Sequence, residues 1–178
     1  MTENIDERTP LPLALIGVGS RAGGDDAIGL ELVERVAGLH PSPALMPILW
    51  EDTDALSLAG ELLDIKQAIL LVDCADMRLE SGSWRLFHPR RPRTYLAWDS
   101  VSTHGLGLAE ALEIAESLGF DQPIAVFGVQ PFDLSPGLKL TPEMRTCLPE
   151  LVFALQGIVA AMIAGIRPFP SGRAALLK

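Results

Sequence analysis

The sequence predicts an α/β fold, a three-layer α/β/α sandwich on a mostly parallel, twisted sheet of about five strands. Three observations carry that prediction. Short apolar runs alternate along the chain with segments of helical period, the arrangement that builds parallel sheets covered by helices. The runs 11–19 (LPLALIGVG) and 67–76 (QAILLVDCAD) are apolar almost throughout, as strands buried on both faces are. The chain has 178 residues, 48% hydrophobic and 21% charged, which suits a globular chain with one core. We therefore read residues 1–178 as a single domain with loose termini at 1–10 and 167–178.

The elements follow in order. Residues 11–19 are the first strand, ending in glycines. Residues 25–39 are a helix, with Ile28, Leu32 and Val36 on one face and Glu31, Glu34 and Arg35 on another. Residues 44–50 are a second strand, which Pro47 weakens or moves to a sheet edge. A short helix at 54–64 leads to the third strand, 67–76. Residues 80–89 suggest a turn and a short strand. Residues 105–119 are a helix, with Leu108, Leu112 and Ala115 opposite Glu110, Glu113 and Glu116. Residues 123–129 are a further strand. From Pro142 the chain is helical, with Thr141 as N-cap and Pro142 in the first turn. Pro149 is expected to kink or split that helix.

Composition narrows the function classes. A net charge of −9 argues against nonspecific nucleic-acid binding, which needs basic surface, and permits a basic partner or a bound cation. Two cysteines, Cys74 and Cys147, rule against a disulfide framework or a CxxC zinc site. The opening MTENIDERTP is polar and acidic, without an apolar signal core, so a reducing cytoplasm is expected. The apolar run 151–166 is shorter than the roughly 20 residues of a membrane span. It reads as a buried helix, or one lending a face to a partner, rather than a membrane insertion.

In sheets of this kind ligands bind beyond the carboxyl ends of the strands. The first strand exits into GVGSRAGGDDAIG, carrying Asp25 and Asp26, and the third ends at VDCAD, carrying Asp73. The segment VSTH brings His104 to the start of a helix, and GVQP places Gln130 at the last strand's exit. Two carboxylates and an imidazole can hold a divalent transition metal with positions open, which polarises a carbonyl or activates water. Each residue also has a plainer use. Asp25 and Asp26 can cap a helix, Asp73 can accept from backbone amides, and His104 can be a first-turn residue.

Other motifs carry less. Gly17, Gly19 and Gly23 loosely follow a dinucleotide fingerprint, but Ala22 stands where the motif needs glycine. The acids that follow oppose a pyrophosphate there, and only Glu51 could serve as the ribose-binding acid. No G-K-[ST] is present for a P-loop. The basic stretch 85–95, with Arg85, Arg90, Arg91 and Arg93, is either a solvated loop or a docking surface for an acidic partner. His40 and His88 receive no role.

Five of these motifs, in this order, resemble the endopeptidases that mature nickel–iron hydrogenases, over about Leu13 to Leu155. They are GVGSRAGGDDAIG, LLVDCADM, VSTHGLGL, the GVQP turn and SPGLKLTPEM. The resemblance implies that Asp26, Asp73 and His104 contact a metal in an aspartic-type endopeptidase; either that metal polarises the scissile carbonyl or a water, or a carboxylate is the general base, Asp26 and Asp73 being the catalytic candidates. It implies a substrate, the hydrogenase large-subunit precursor, whose C-terminal extension is removed once nickel is inserted. Nickel would then arrive with the substrate instead of residing in the protease. Two positions depart from the family pattern: Ser20 replaces the usual Asn, and position 26 is Asp where some members carry Glu. Two other readings compete, a non-enzymatic nickel-dependent assembly factor and a nucleotide-binding α/β module. An unrelated small α/β hydrolase is the plain alternative.

Overall fold

The computed structural model describes residues 10–39, 41–51, 54–89 and 105–166. Strands β1 (Leu13–Gly19), β2 (Leu45–Glu51), β3 (Ala68–Cys74), β4 (Trp84–Phe87) and β5 (Ile124–Val129) form one sheet in the order β2-β1-β3-β5-β4. The pairs β1–β2, β1–β3 and β3–β5 are parallel, and β4 runs antiparallel to β5. The fold class read from the sequence is the one observed, with β4 making the sheet mixed. β1, β3 and β5 are buried almost throughout, whereas β2 is mostly exposed, with only Leu45 and Trp50 buried, and lies at an edge, where the sheet tolerates Pro47.

Four helices cover the sheet: α1 (Ile28–Leu39), α2 (Ala55–Asp64), α3 (Gly105–Ser117) and α4 (Pro142–Ile163). Successive side chains of a strand point to opposite faces, so each central strand feeds two cores. On one face Leu13, Leu15, Leu70, Val72 and Phe127 meet α1 and α4. On the other, Ala14, Ile16, Ile69, Leu71 and Val126 meet α2 and α3. The chain leaves β1 toward β2 through α1 and reaches β3, on the other side of β1, through α2. The strand order therefore reverses between β1 and β3, and the crevice at their carboxyl ends is where such folds place ligands.

The helix expected over 25–39 begins with a 3₁₀ turn, Gly24–Ala27, before α1 proper. The start of α1 presses into the crevice because glycines face each other there. A Cβ on Gly29 would lie 2.4 Å from the carbonyl oxygens of Val18 and Val72, and one on Gly17 would lie 2.5 Å from the Gly29 carbonyl. Close packing of helix on sheet accounts for these glycines without a dinucleotide.

α4 begins as the sequence suggests, with the Thr141 hydroxyl accepting from the Met144 N–H at 3.1 Å. Pro149 does not split it: the helix runs unbroken over Pro142–Ile163. Pro149 is exposed, and Met144, Leu148, Leu151, Val152, Leu155 and Val159 seat the helix on both sides of it. Among the described residues α4 is the one helix long and apolar enough to cross a membrane by length and composition, and those six residues belong to the core of the sheet.

Candidate active site

The site is built at the carboxyl ends of β1 and β3. After Gly19 the chain makes a tight loop and comes back over its own strand. A Cβ at Gly19, whose φ is 153°, would lie 2.0 Å from the Asp26 carbonyl oxygen, so only glycine lets the returning turn lie there. The Ser20 N–H donates to Asp26 Oδ2 at 2.9 Å, turning that carboxylate inward. The Ser20 hydroxyl is used within the loop, accepting from the Ala22 N–H at 3.3 Å.

Asp73 is the penultimate residue of β3, and the β1–β3 register of Gly17 with Val72 continues toward the same edge. Asp26 and Asp73 are 4% and 6% exposed. Burial first, and the Asp26 carboxylate second, push the Asp73 carboxyl well above the ordinary carboxylate range. The two predicted acids are thus brought within electrostatic reach of each other. Burial likewise raises the neighbouring Cys74 thiol, and Asp73, Asp26, Asp25 and Asp76 all add to that shift. Two buried carboxylates, Asp26 and Asp73, at one crevice favour a cation. Cys74 stays a protonated thiol rather than a nucleophile.

Asp25 takes a different part from capping its own helix. Its carboxylate accepts from the N–H groups of Phe132, Asp133 and Thr141 and from the Thr141 hydroxyl, at 2.8–3.2 Å. Gln130 also gains a structural role that its place at a strand exit did not reveal. Its Oε1 accepts from Met77 N–H at 2.7 Å and Leu79 N–H at 3.2 Å, and its Nε2 donates to Asp76 Oδ1 at 3.1 Å. That amide holds the chain leaving β3, including Arg78 in the left-handed region at φ 55°.

His104, the expected third ligand, lies outside the described residues, as do Arg90, Arg91 and Arg93 of the basic stretch. Among the described residues no three His, Cys, Asp or Glu side chains cluster as a metal site. Glu51 accepts from Arg21 Nε at 3.3 Å. An open apolar groove of about 770 Å³ between α1 and α4, lined by residues such as Val36, Leu45, Phe153 and Ile163, lies at the opposite end of the sheet and carries no ionisable side chain.

Fold and site together define an α/β protein with a buried pair of carboxylates at the switch point of its sheet. Comparison with known proteins gives the class a narrower name. Residues 51–157 match the family model described as hydrogenase maturation protease. The chain is 26% identical over 160 residues to the hydrogenase 2 maturation protease of Escherichia coli K12, covering 89% of this chain and 95% of that protein. It is 24% identical over 137 residues to the hydrogenase expression/formation protein HupD of Rhodobacter capsulatus, covering 76% and 65%. Its fold is similar to that of the hydrogenase maturating endopeptidase HybD from E. coli, with a TM-score of 0.69 at 19% identity over 85% of this chain and 94% of that one. The maturation protease HycI from Thermococcus kodakarensis is similar with a TM-score of 0.66 at 23% identity, over 88% and 97%. The chain belongs to the hydrogenase maturation protease family, a family of peptidases. The match takes in Asp73, whereas Asp26 lies ahead of it.

Proposed function

We propose that this chain is the endopeptidase that removes the C-terminal extension of a nickel-loaded large-subunit precursor of a nickel–iron hydrogenase, in the cytoplasm. The observation that carries the reading is that Asp26 and Asp73 are both buried where β1 and β3 end, near enough for the Asp26 charge to act on the Asp73 carboxyl. Two ionised carboxylates in such a crevice repel each other, and a divalent cation relieves both. Nickel is part of the substrate. Asp26, Asp73 and His104 would bind it, two hard oxygens and an imidazole being ligands nickel accepts, and so draw the scissile segment into the crevice. A carboxylate oxygen of Asp26 or Asp73 then takes a proton from the attacking water. The water oxygen bonds to the peptide carbon, the C–N bond breaks, and the proton passes to the leaving amine. Two free thiols suit a reducing compartment.

The test is cleavage of purified precursor, with and without nickel, followed by mass spectrometry of the released peptide. The wild-type chain is expected to cut only the nickel-loaded form, and Asp73→Asn to lower the rate by at least about 10²-fold. Unimpaired cutting by Asp73→Asn refutes the site, and no cutting by the wild-type chain favours an assembly factor without proteolysis.

A further inference from the structure

We propose that Asp25 is a positioning residue for the cleavage reaction, setting the direction in which Asp26 points. The proposal rests on the function proposed above, because the direction of Asp26 matters only if Asp26 belongs to the cutting site.

Asp25 is fully buried, and its carboxylate is committed to the segment between β5 and α4. Oδ2 accepts from Phe132 N–H at 3.0 Å, Asp133 N–H at 3.2 Å and the Thr141 hydroxyl at 3.1 Å, and Oδ1 from Thr141 N–H at 2.8 Å. Hydrogen bonds to an ionised acceptor are among the stronger ones in proteins. The backbone repeats the tie: Gly24 N–H donates to the Gly137 carbonyl and Gly137 N–H to the Ala22 carbonyl, both at 2.9 Å, and Asp25 N–H to the Asp133 carbonyl at 3.3 Å.

Residues Gly24–Ala27 form a 3₁₀ turn, in which three residues complete one turn and successive side chains point about 120° apart. With Asp25 anchored toward residues 131–141, Asp26 is turned to the sheet edge, where the Ser20 N–H meets it. The anchoring segment starts at the end of β5, and β5 is hydrogen-bonded to β3, with Asp73 opposite Gly128. Asp25 thus ties Asp26 to the same β3–β5 frame that carries Asp73. Asparagine cannot replace it cleanly. One carboxylate oxygen becomes an NH₂ that faces an N–H donor in either orientation.

The experiment compares steady-state cleavage of nickel-loaded precursor by the full chain and by Asp25→Asn, Asp25→Glu and Val159→Ala. The last is a core truncation at the far end of α4 that serves as a control for stability alone. Rates are referred to the folded fraction measured by circular dichroism. Asp25→Asn and Asp25→Glu are expected to lower kcat by about 10- to 100-fold, with KM within about three-fold of wild type. Val159→Ala is expected to lower Tm and leave kcat per folded molecule unchanged. A folded Asp25 variant with wild-type kcat overturns the proposal, as does a loss of rate by Val159→Ala equal to that of the Asp25 variants. If neither Asp25 variant folds even at 4 °C, Asp25 is a folding residue and the proposal also falls. A wild-type chain that does not cut would instead sink the function on which the proposal rests.

Discussion

Asp73 pays for its position in stability. Its carboxyl is raised well above its ordinary value of 3.8, by burial first and by Asp26 second. A group whose native value is raised contributes its full stability below the unfolded value and loses it as pH climbs toward the native one. Asp73 therefore weakens the fold progressively above about pH 4. Asp73→Asn is expected to match the wild type near pH 3.5 and to be the more stable protein at pH 7, by on the order of 1 kcal/mol, while losing cleavage. Thermal melts across pH 3.5–8 check this, and a variant that melts lower at pH 7 contradicts it. At this scale the sequence was partly legible. Asp26 and Asp73 could be found because each follows an apolar run whose end marks a strand exit. The partners of Asp25 could not, because the donors lie 107–116 residues further along the chain and no local pattern announces them. Gln130 was visible as a strand-exit residue, yet its hold on Met77 and Leu79 spans 53 and 51 residues and depends on β3 and β5 being neighbours.

Among the elements, α4 departs most from its sequence reading. An interior proline removes one hydrogen bond and crowds the preceding turn, and it costs roughly 3 kcal/mol relative to alanine. The sequence therefore suggests a kink or a split at Pro149, and the split does not occur. The helix continues because apolar residues on both sides of the proline bury against the sheet, at about 1.5–3 kcal/mol each, which outweighs the cost. Pro149 is itself exposed, so no packing is lost on replacing it. Pro149→Ala is expected to raise Tm by several degrees, the equivalent of up to about 3 kcal/mol, with cleavage unchanged. Differential scanning calorimetry measures it, and an unchanged or lowered Tm counts against the account. The other elements were legible because their periodicity agrees with their burial, down to the edge position of β2.

In the molecule as a whole, order of stability should follow order of burial. β1 and β3 are covered on both faces and paired on both sides, so their amides are expected to exchange with solvent only by global unfolding. The edge strands β2 and β4 should exchange faster, and hydrogen–deuterium exchange resolved by residue tests the ranking. Equal protection in β4 and β3 would contradict it. The sequence by itself determined the α/β class, the succession of elements and the acids that stand at strand exits, because hydrophobic period and glycine placement are local properties of the chain. Only the tertiary structure decided that the strand order reverses between β1 and β3, that Asp26 and Asp73 share a buried crevice there, and that Asp25 faces away from it. Those outcomes depend on which strands become neighbours and which donors a distant loop supplies, and such contacts are set by packing the whole sheet between two helical layers.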